Sequence, residues 1–341
     1  VCKMQNKEIN SKKILITGGA GFIGSNLVDY FLLNGNKVVC LDNFANGKRE
    51  NIKEALTNSR FGLIEGDIRD FDTCVKAVRG CDYVLHQAAL GSVPRSIQDP
   101  IITNQVNIDG FLNMLTAARN EAVIRFVYAA SSSTYGDSKS LPKVEDKIGN
   151  PLSPYAITKF VNELYANVFA QTYGMECIGL RYFNVFGKRQ DPNGAYAAVI
   201  PLWVKQMLNH KSPTINGDGS FSRDFTYIDN VIQANELALL TQSEKLRNKD
   251  GRNYIAEVFN VAFGGNTTLL SLFDALKINL AKYDKIIELV EPIIGEYREG
   301  DIPHSMASIE KAKDLLGYFP KYSASEGFKR ACDWYFNNIE R

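Results

Sequence analysis

The sequence predicts an α/β fold, a doubly wound parallel sheet carrying a smaller C-terminal α/β lobe. From Lys13 onward, short apolar β-rich runs alternate with longer helical patterns, and strand–helix alternation implies a parallel sheet covered on both faces. The turn "TGGAGFIG" (17–24) joins the first such run to the first helical pattern, and beyond Phe186 the rhythm breaks into Gly-, Pro- and Asn-rich pieces.

In order, "KILIT" (13–17) precedes a helical pattern at 22–33, and "KVVCLD" (37–42), "FGLIEGD" (61–67), "DYVLH" (82–86), "IRFVYAA" (124–130) and "ECIGLRYF" (176–183) follow at intervals that admit crossover helices. The two longest helical patterns fall at 101–120 and 154–172. Later helical stretches are read at 196–209, 229–241, 269–281, 308–316 and 325–338, and "SEKLRNKDGRN" (243–253) reads as a solvated loop. Residues 1–186 are thus expected to form the nucleotide-binding domain, with segments near 228–262 returning to it. Residues 187–341 are expected to supply mainly the smaller lobe.

Composition narrows the function classes. With 45% hydrophobic residues among 341, the chain can bury a large core. Its 39 basic and 38 acidic residues are spread along the chain, so no basic stripe points to a nucleic-acid partner. Cys2, Cys40, Cys74, Cys81, Cys177 and Cys332 lack C-x-x-C spacing and read as packed thiols of a cytoplasmic protein. His86, His210 and His304 are far apart, so no metal site is expected. The opening "VCKMQNKEIN" is polar, and no apolar run approaches the ~18 residues that span a bilayer. No membrane association is expected.

The turn at 17–24 carries the first chemistry. Gly18, Gly21 and Gly24 serve a tight turn, close approach of backbone to a pyrophosphate, and close helix–sheet packing, with the helix N-terminus facing the phosphates. Phe22 and Ile23 lie between them, and the second strand ends in "CLDNF", placing Asp42 and Asn43 at its tip. A carboxylate there accepts bonds from both ribose hydroxyls of NAD and repels the 2′-phosphate of NADP. The cofactor reading is therefore NAD on a Rossmann-type sheet. Asp67 and Ile68 of "GDIRD" fall where an adenine would lie, and Gln87, Ala88 and Ala89 of "HQAA" let the cofactor pass; loop turns alone would explain either motif.

"PYAITK" (154–159) places Tyr155 and Lys159 one helical turn apart, on one face. A phenol with a pKa near 10 is a poor base at neutral pH unless a neighbouring cation stabilises its anion. Ser131, in "AASSSTYG" (129–136), leaves the fifth strand, and the C-terminal strand ends of a parallel sheet are where ligands bind. There it can bond a reacting oxygen and relay its proton. Tyr-x-x-x-Lys is also common on solvated helix faces, so the order of the three motifs carries the inference.

Together "TGGAGFIG", "LDNF", "GDIRD", "SSSTYG", "SPYAITK" and "LRYFNVFG" resemble the extended short-chain dehydrogenase/reductase family, from about Lys12 to the C-terminus. Within it, "HQAALGSVPRS", "PLSPYAITKFVNELYA", "RYFNVFGKRQDPNGAYAAVIP" and "INGDGSFSRDF" most resemble the UDP-N-acetylglucosamine 4-epimerases, including those acting on the uronic acid. The resemblance implies reversible C4 epimerisation through a 4-keto sugar, with Tyr155 as base, Lys159 as its activator and ribose ligand, and Ser131 orienting the 4-oxygen. Asn104 and Tyr182 would line the cofactor, or be ordinary loop and core residues. Ser131-Ser132-Ser133 stands where related dehydratases carry Thr-Asp-Glu, which disfavours 4,6-dehydration.

The resemblance further assigns Arg223 and Arg298 to the diphosphate, unless each is a surface ion pair with Asp224 or Glu299. Asn184 would touch the diphosphate or sugar, Asp301 the uridine ribose, and Asn216 would lie in the segment that meets uracil. Gly91, Ser92, Ser132, Gln190 and Ala198 would wall the pocket. Ser305, where epimerases restricted to UDP-glucose and UDP-galactose carry tyrosine, would leave room for a 2-acetamido group; otherwise it is a polar loop residue. UDP-N-acetylglucosaminuronate and UDP-glucose remain alternative substrates. A catalytically silent NAD-binding regulator is disfavoured by the intact Ser131, Tyr155 and Lys159. The helical patterns 101–120 and 154–172 resemble the family's homodimer interface.

Overall fold

Seven parallel strands form one sheet: β1 (Lys13–Thr17), β2 (Lys37–Asp42), β3 (Phe61–Glu65), β4 (Tyr83–His86), β5 (Arg125–Ser131), β6 (Cys177–Tyr182) and a last strand at Ala256–Val261. From one edge the order is Ala256–Val261, β6, β5, β4, β1, β2, β3. The predicted Rossmann-type sheet is present. The direction of winding reverses between β1 and β4, whose ends meet where Thr17 stands beside Leu41 on one side and His86 on the other. This is the crevice where such sheets bind ligands. The computed structural model describes residues 9–193, 197–247, 252–297 and 303–339.

The apolar runs are continuous because both faces of the sheet are covered. Ile14 and Ile16 of β1 join one core with Leu27, Phe31 and Val127, while Leu15 between them joins a second with Leu41, Val84, Phe111 and Phe126. Successive side chains of a strand point to opposite faces, so each face claims alternate residues.

On these faces lie α1 (Phe22–Leu33), α2 (Phe71–Val78), α3 (Val93–Gln98), α4 (Pro100–Asn104), α5 (Gly110–Asn120) and α6 (Pro154–Tyr173). The pattern expected as one helix over 101–120 is broken by a π-helical turn at Gln105–Asp109. There Asn107 is buried, its amide bonding both Leu90 N and Leu90 O and also Thr158 Oγ1. A π turn inserts one residue into the helical ladder, often at functional sites. Helix α6 starts where Ser153 Oγ accepts from Ala156 N and Pro154 occupies the first turn, and it stops at left-handed Gly174; both ends follow the ordinary capping preferences.

Past Phe186 the chain builds small sheets, pairing Val185–Phe186 with Thr226–Tyr227, Thr214–Asn216 with Ile293–Gly295, and Ser222–Arg223 with both Thr267–Thr268 and His304–Ser305. Helices at Val199–Leu208, Ile228–Leu240, Leu269–Leu280, Glu310–Leu316 and Ala324–Asn338 accompany them. The 243–253 stretch is not wholly a loop. Ser243–Leu246 is a short helix with Leu246 buried, and Ser243 and Arg247 both reach Glu176; its residues 248–251 lie outside the described residues. Cys40, Cys74, Cys81, Cys177 and Cys332 are free and buried. Among the described residues no helix is long and apolar enough to cross a membrane.

Two buried arginines lock helices to the sheet. Arg125 of β5 pairs with Glu176 and donates to Ala238 O and Thr241 O at the end of Ile228–Leu240. Arg181 of β6 forms a two-pronged pair with Glu163 of α6, Nε to Oε1 at 2.9 Å and Nη2 to Oε2 at 2.7 Å. Removing one partner of a buried pair leaves an uncompensated charge. Glu163→Ala is therefore expected to lower unfolding stability by about 3–5 kcal/mol, read by urea denaturation; a loss within about 0.5 kcal/mol would discount the pair as an anchor of α6.

Candidate active site

The glycine turn is shaped by what cannot be there. Gly18 has φ of +66°, and a Cβ on it would lie 2.8 Å from Ala88 N. A Cβ on Gly24 would lie 2.1 Å from Gly18 O, so only glycine lets α1 come this close to the loop. Gly21 is the N-cap of α1, and the helix opens toward the crevice with free amide groups suited to an anion.

Asp42 ends β2, buried, with Oδ2 accepting from Ala20 N at 2.9 Å and Oδ1 from Phe44 N at 2.8 Å. A carboxylate offers about four acceptor positions, so two remain for ribose hydroxyls. Asp67 is gripped by the Arg69 fork and by Asn43 Nδ2, which hold its carboxyl down at about 2. These residues line one cleft of about 910 Å³ with Gly18, Gly21, Phe22, Ile23, Gly24, Ile68, Gln87, Ala88 and Ala89. Cradle, carboxylate and volume fit an adenine dinucleotide.

Ser131, Tyr155 and Lys159 come together at the end of β5. Lys159 Nζ donates to Ala129 O at 2.8 Å and lies 5.9 Å from the centre of the Tyr155 ring. Burial pulls the Lys159 ammonium down to about 8. Burial pushes the Tyr155 hydroxyl above its ordinary value, and its hydrogen bond with Ser131 acts in the opposite direction. The Ser131 hydrogen bond is thus one contribution that favours the phenolate. Tyr155 also stands in the first turn of α6, where the helix dipole favours negative charge.

Behind this trio lie residues the sequence reading passed over. Thr17 Oγ1 receives Ala88 N at 3.2 Å and bonds His86 Nδ1 at 2.9 Å. Burial lowers His86 to about 3, with Lys159 adding to the effect, so the imidazole that bonds Thr17 is neutral. Tyr182 does not wall the cleft directly. Its hydroxyl closes a triangle with Gln87 Oε1 at 3.2 Å and Asn235 Nδ2 at 2.9 Å, and burial holds it up at about 12. Asn104 is exposed, and the helix presents Ile102 and Val106 to the cleft instead. The inward asparagine is Asn107, three residues on; the π turn that rotates it has no signature in the apolar spacing.

The cleft continues past Gly91, Ser92, Gln190 and Ala198, joined by Lys48, Arg95 and Arg189, which sequence reasoning did not single out. Ser132 is half-buried in the turn Ser132–Tyr135. Asn184 is exposed with φ of +34° and donates to Asp224 O at 3.0 Å. Ser305 and Arg223 are parallel-strand partners, and Asn216 ends the strand paired with Gly295. Arg298 and Asp301 lie outside the described residues. Asp224 is no surface partner for Arg223. Its carboxylate is buried, accepts from Phe263 N, Gly264 N and Ala307 N at 3.1–3.2 Å, and is pushed up to about 6 by burial against the pull of those amides.

Comparison with known proteins agrees with this geometry. The model of the NAD dependent epimerase/dehydratase family matches residues 14–262. The chain is 37% identical to a putative UDP-glucose 4-epimerase of Methanocaldococcus jannaschii, covering 95% of this chain and 99% of that protein. Its structure resembles a UDP-N-acetylglucosamine 4-epimerase from Methanobrevibacter ruminantium solved with UDP-N-acetylmuramic acid, at a TM-score of 0.87 and 36% identity over 97% of this chain and 100% of that one. It also resembles the UDP-glucuronic acid 4-epimerase from Bacillus cereus solved with UDP-glucuronic acid and NAD, at a TM-score of 0.82 and 33% identity over 95% and 99%. The chain belongs to the NAD dependent epimerase/dehydratase family, and its cofactor is NAD.

Proposed function

We propose that the chain interconverts UDP-N-acetylhexosamines at C4, UDP-GlcNAc to UDP-GalNAc, through a 4-keto sugar. The observation that carries this reading is the convergence of Ser131, Tyr155 and Lys159 at the end of β5, the strand next to β4. Serines at 132 and 133 occupy the turn where elimination would need acids. Bound NAD supplies a hydride acceptor that returns the hydride to the opposite face of the sugar. Tyr155 takes the proton of the 4-hydroxyl and gives it back. Ser131 donates to the 4-oxygen, and the Lys159 charge favours the tyrosinate. Arg223 and Arg298 neutralise the diphosphate beside Asn184, while Asp301 and the backbone near Asn216 hold the uridine.

In this reading residues 1–186, joined by segments near 228–262, bind NAD, and the remainder mainly binds the nucleotide sugar in the cytoplasm. The relatives' names cover UDP-glucose and UDP-glucuronic acid as well, so relative kcat/KM on 6-hydroxyl and 6-carboxyl sugars ranks the substrates. Purified protein with UDP-GlcNAc and no added NAD is expected to accumulate UDP-GalNAc by anomeric NMR. Tyr155→Phe should lower kcat by about 10²–10⁴, the range for general-base catalysis. No conversion of any UDP-hexose by the wild type would sink the proposal.

Ser305 would set substrate width. Ser305→Tyr should depress kcat/KM for UDP-GlcNAc roughly ten- to a hundredfold more than for UDP-glucose, the equivalent of about 1–3 kcal/mol of overpacking. Equal losses on both substrates would remove Ser305 from the pocket wall.

The chain would act as a homodimer. Ile157, Leu164 and Val168 of α6 share one helical face, and with Ile97 and Ile101 from α3 and α4 each is at least half exposed. The spacing of this stripe and its length favour a second copy. Light scattering should find a dimer for the wild type and a monomer for Leu164→Glu; a monomeric wild type would refute the interface.

A further inference from the structure

Ser131 and Ser133 are bound more tightly to each other than catalysis by Ser131 alone requires. Ser131 Oγ accepts from Ser133 N at 3.1 Å, and the Ser133 hydroxyl contacts the same oxygen at 2.9 Å. An amide can only donate, so it fixes one lone pair of Ser131. A hydroxyl has two lone pairs and one proton, which leaves the direction of the contact between the two hydroxyls as the open variable. If Ser131 donates to Ser133, it has no proton left for the Tyr155 anion and can only accept from the protonated phenol. If Ser133 donates, both lone pairs of Ser131 are filled and its proton is committed to Tyr155 or the sugar oxygen.

We propose that Ser133 is a positioning residue that makes Ser131 a one-way hydrogen-bond donor, to Tyr155 in the free enzyme or to the reacting oxygen when the sugar is bound. The inference rests on the epimerase reading for its chemistry and on the two bonds above for its geometry. A hydrogen-bond chain that ends on an anion is polarised along its length, so ionisation of Tyr155 favours the order Ser133 to Ser131 to Tyr155. With its lone pairs occupied, Ser131 is a poor proton acceptor. The 4-hydroxyl proton therefore passes directly to the tyrosinate, Ser131 holding the oxygen without relaying the proton. Ser133 is half-buried in the Ser132–Tyr135 turn.

Two measurements test this. The phenolate absorbance of Tyr155, isolated by subtracting Tyr155→Phe, can be titrated whether or not the protein turns over. Ser133→Ala should shift that titration up by about half a pH unit, and Ser133→Thr, which keeps the hydroxyl, should titrate with the wild type. In turnover, Ser133→Ala should move the acid limb of kcat upward by the same amount, about threefold in rate below it, with KM for the UDP-sugar changed less than twofold. Ser133→Cys, similar in shape with a weaker donor, should show the same displacement if the alanine variant does not fold. An unmoved titration in Ser133→Ala or Ser133→Cys overturns the assignment, even if stability or kcat falls. A wild type that epimerises no UDP-hexose would instead sink the reaction while leaving the titration readable.

Discussion

A buried ammonium with no carboxylate partner among the described residues is the constraint on which the site depends. Lys159 is 4% exposed, its hydrogen bond goes to a backbone carbonyl, and burial is the cause of its fall to about 8. Holding it charged there at neutral pH costs about 3 kcal/mol. That cost is tolerable only if other contacts force α6 onto the end of β5, and the Arg181–Glu163 pair one turn further along the helix does so. Docking there places Tyr155, in the first turn, against Ser131. The same positive charge helps keep His86 neutral, and that ring bonds the Thr17 hydroxyl, which accepts from the Ala88 amide. Lys159 and the Ala88 backbone of the cofactor cleft are thus linked through His86 and Thr17.

At the dinucleotide end the working element is empty space next to fixed charge. The glycines remove side chains where α1 meets the loop, and Asp42 is spared a neighbour as well, since a Cβ on Gly47 would lie 2.9 Å from both of its oxygens. The loop that carries Gly47 is pinned on two sides. Arg95 of α3 donates to Asn46 Oδ1 at 3.2 Å, and Lys48 pairs with Asp191 at 2.8 Å. Arg189, two residues before Asp191, reaches Asp29 and the Ser25 carbonyl on α1. Exposed pairs of this kind contribute little individually, yet together they tie the loop after β2 to both walls of the cleft.

How much of this was legible in the sequence follows from how local each cause is. Strands covered on both faces must be apolar throughout, so "KILIT" and "KVVCLD" announced themselves, and the glycine turn, Asp42, Tyr155 and Lys159 are each defined within a few residues. What sequence order could not reveal was side-chain networks closed over long separations. Tyr182 bonds Gln87, 95 positions away, and Asn235, 53 positions away; no periodicity records such a triangle. Asn104 lies just before the π turn and Asn107 within it. Asp224, beside Arg223, had the spacing of an ion pair, but folding carried it inward to three backbone amides.

That buried carboxylate links two features that sequence treats as separate. Asp224 follows Arg223, the proposed diphosphate ligand, and accepts from Ala307, two residues after Ser305, the proposed pocket wall; Ser305 itself pairs in register with Arg223. A carboxyl raised in the fold to about 6 from an ordinary value near 4 binds more protons folded than unfolded across that interval. The stability this gives is present below pH 4 and is lost as pH rises through 6. At neutral pH Asp224 therefore weakens the fold by comparison with its protonated form. Its contribution must lie in what it holds: only an oxygen acceptor at that point can receive amides from the 263–264 loop and from the 305–307 segment together. The proposed phosphate ligand and the proposed pocket wall are thereby held together, through Asp224 and through the paired strands of Arg223 and Ser305.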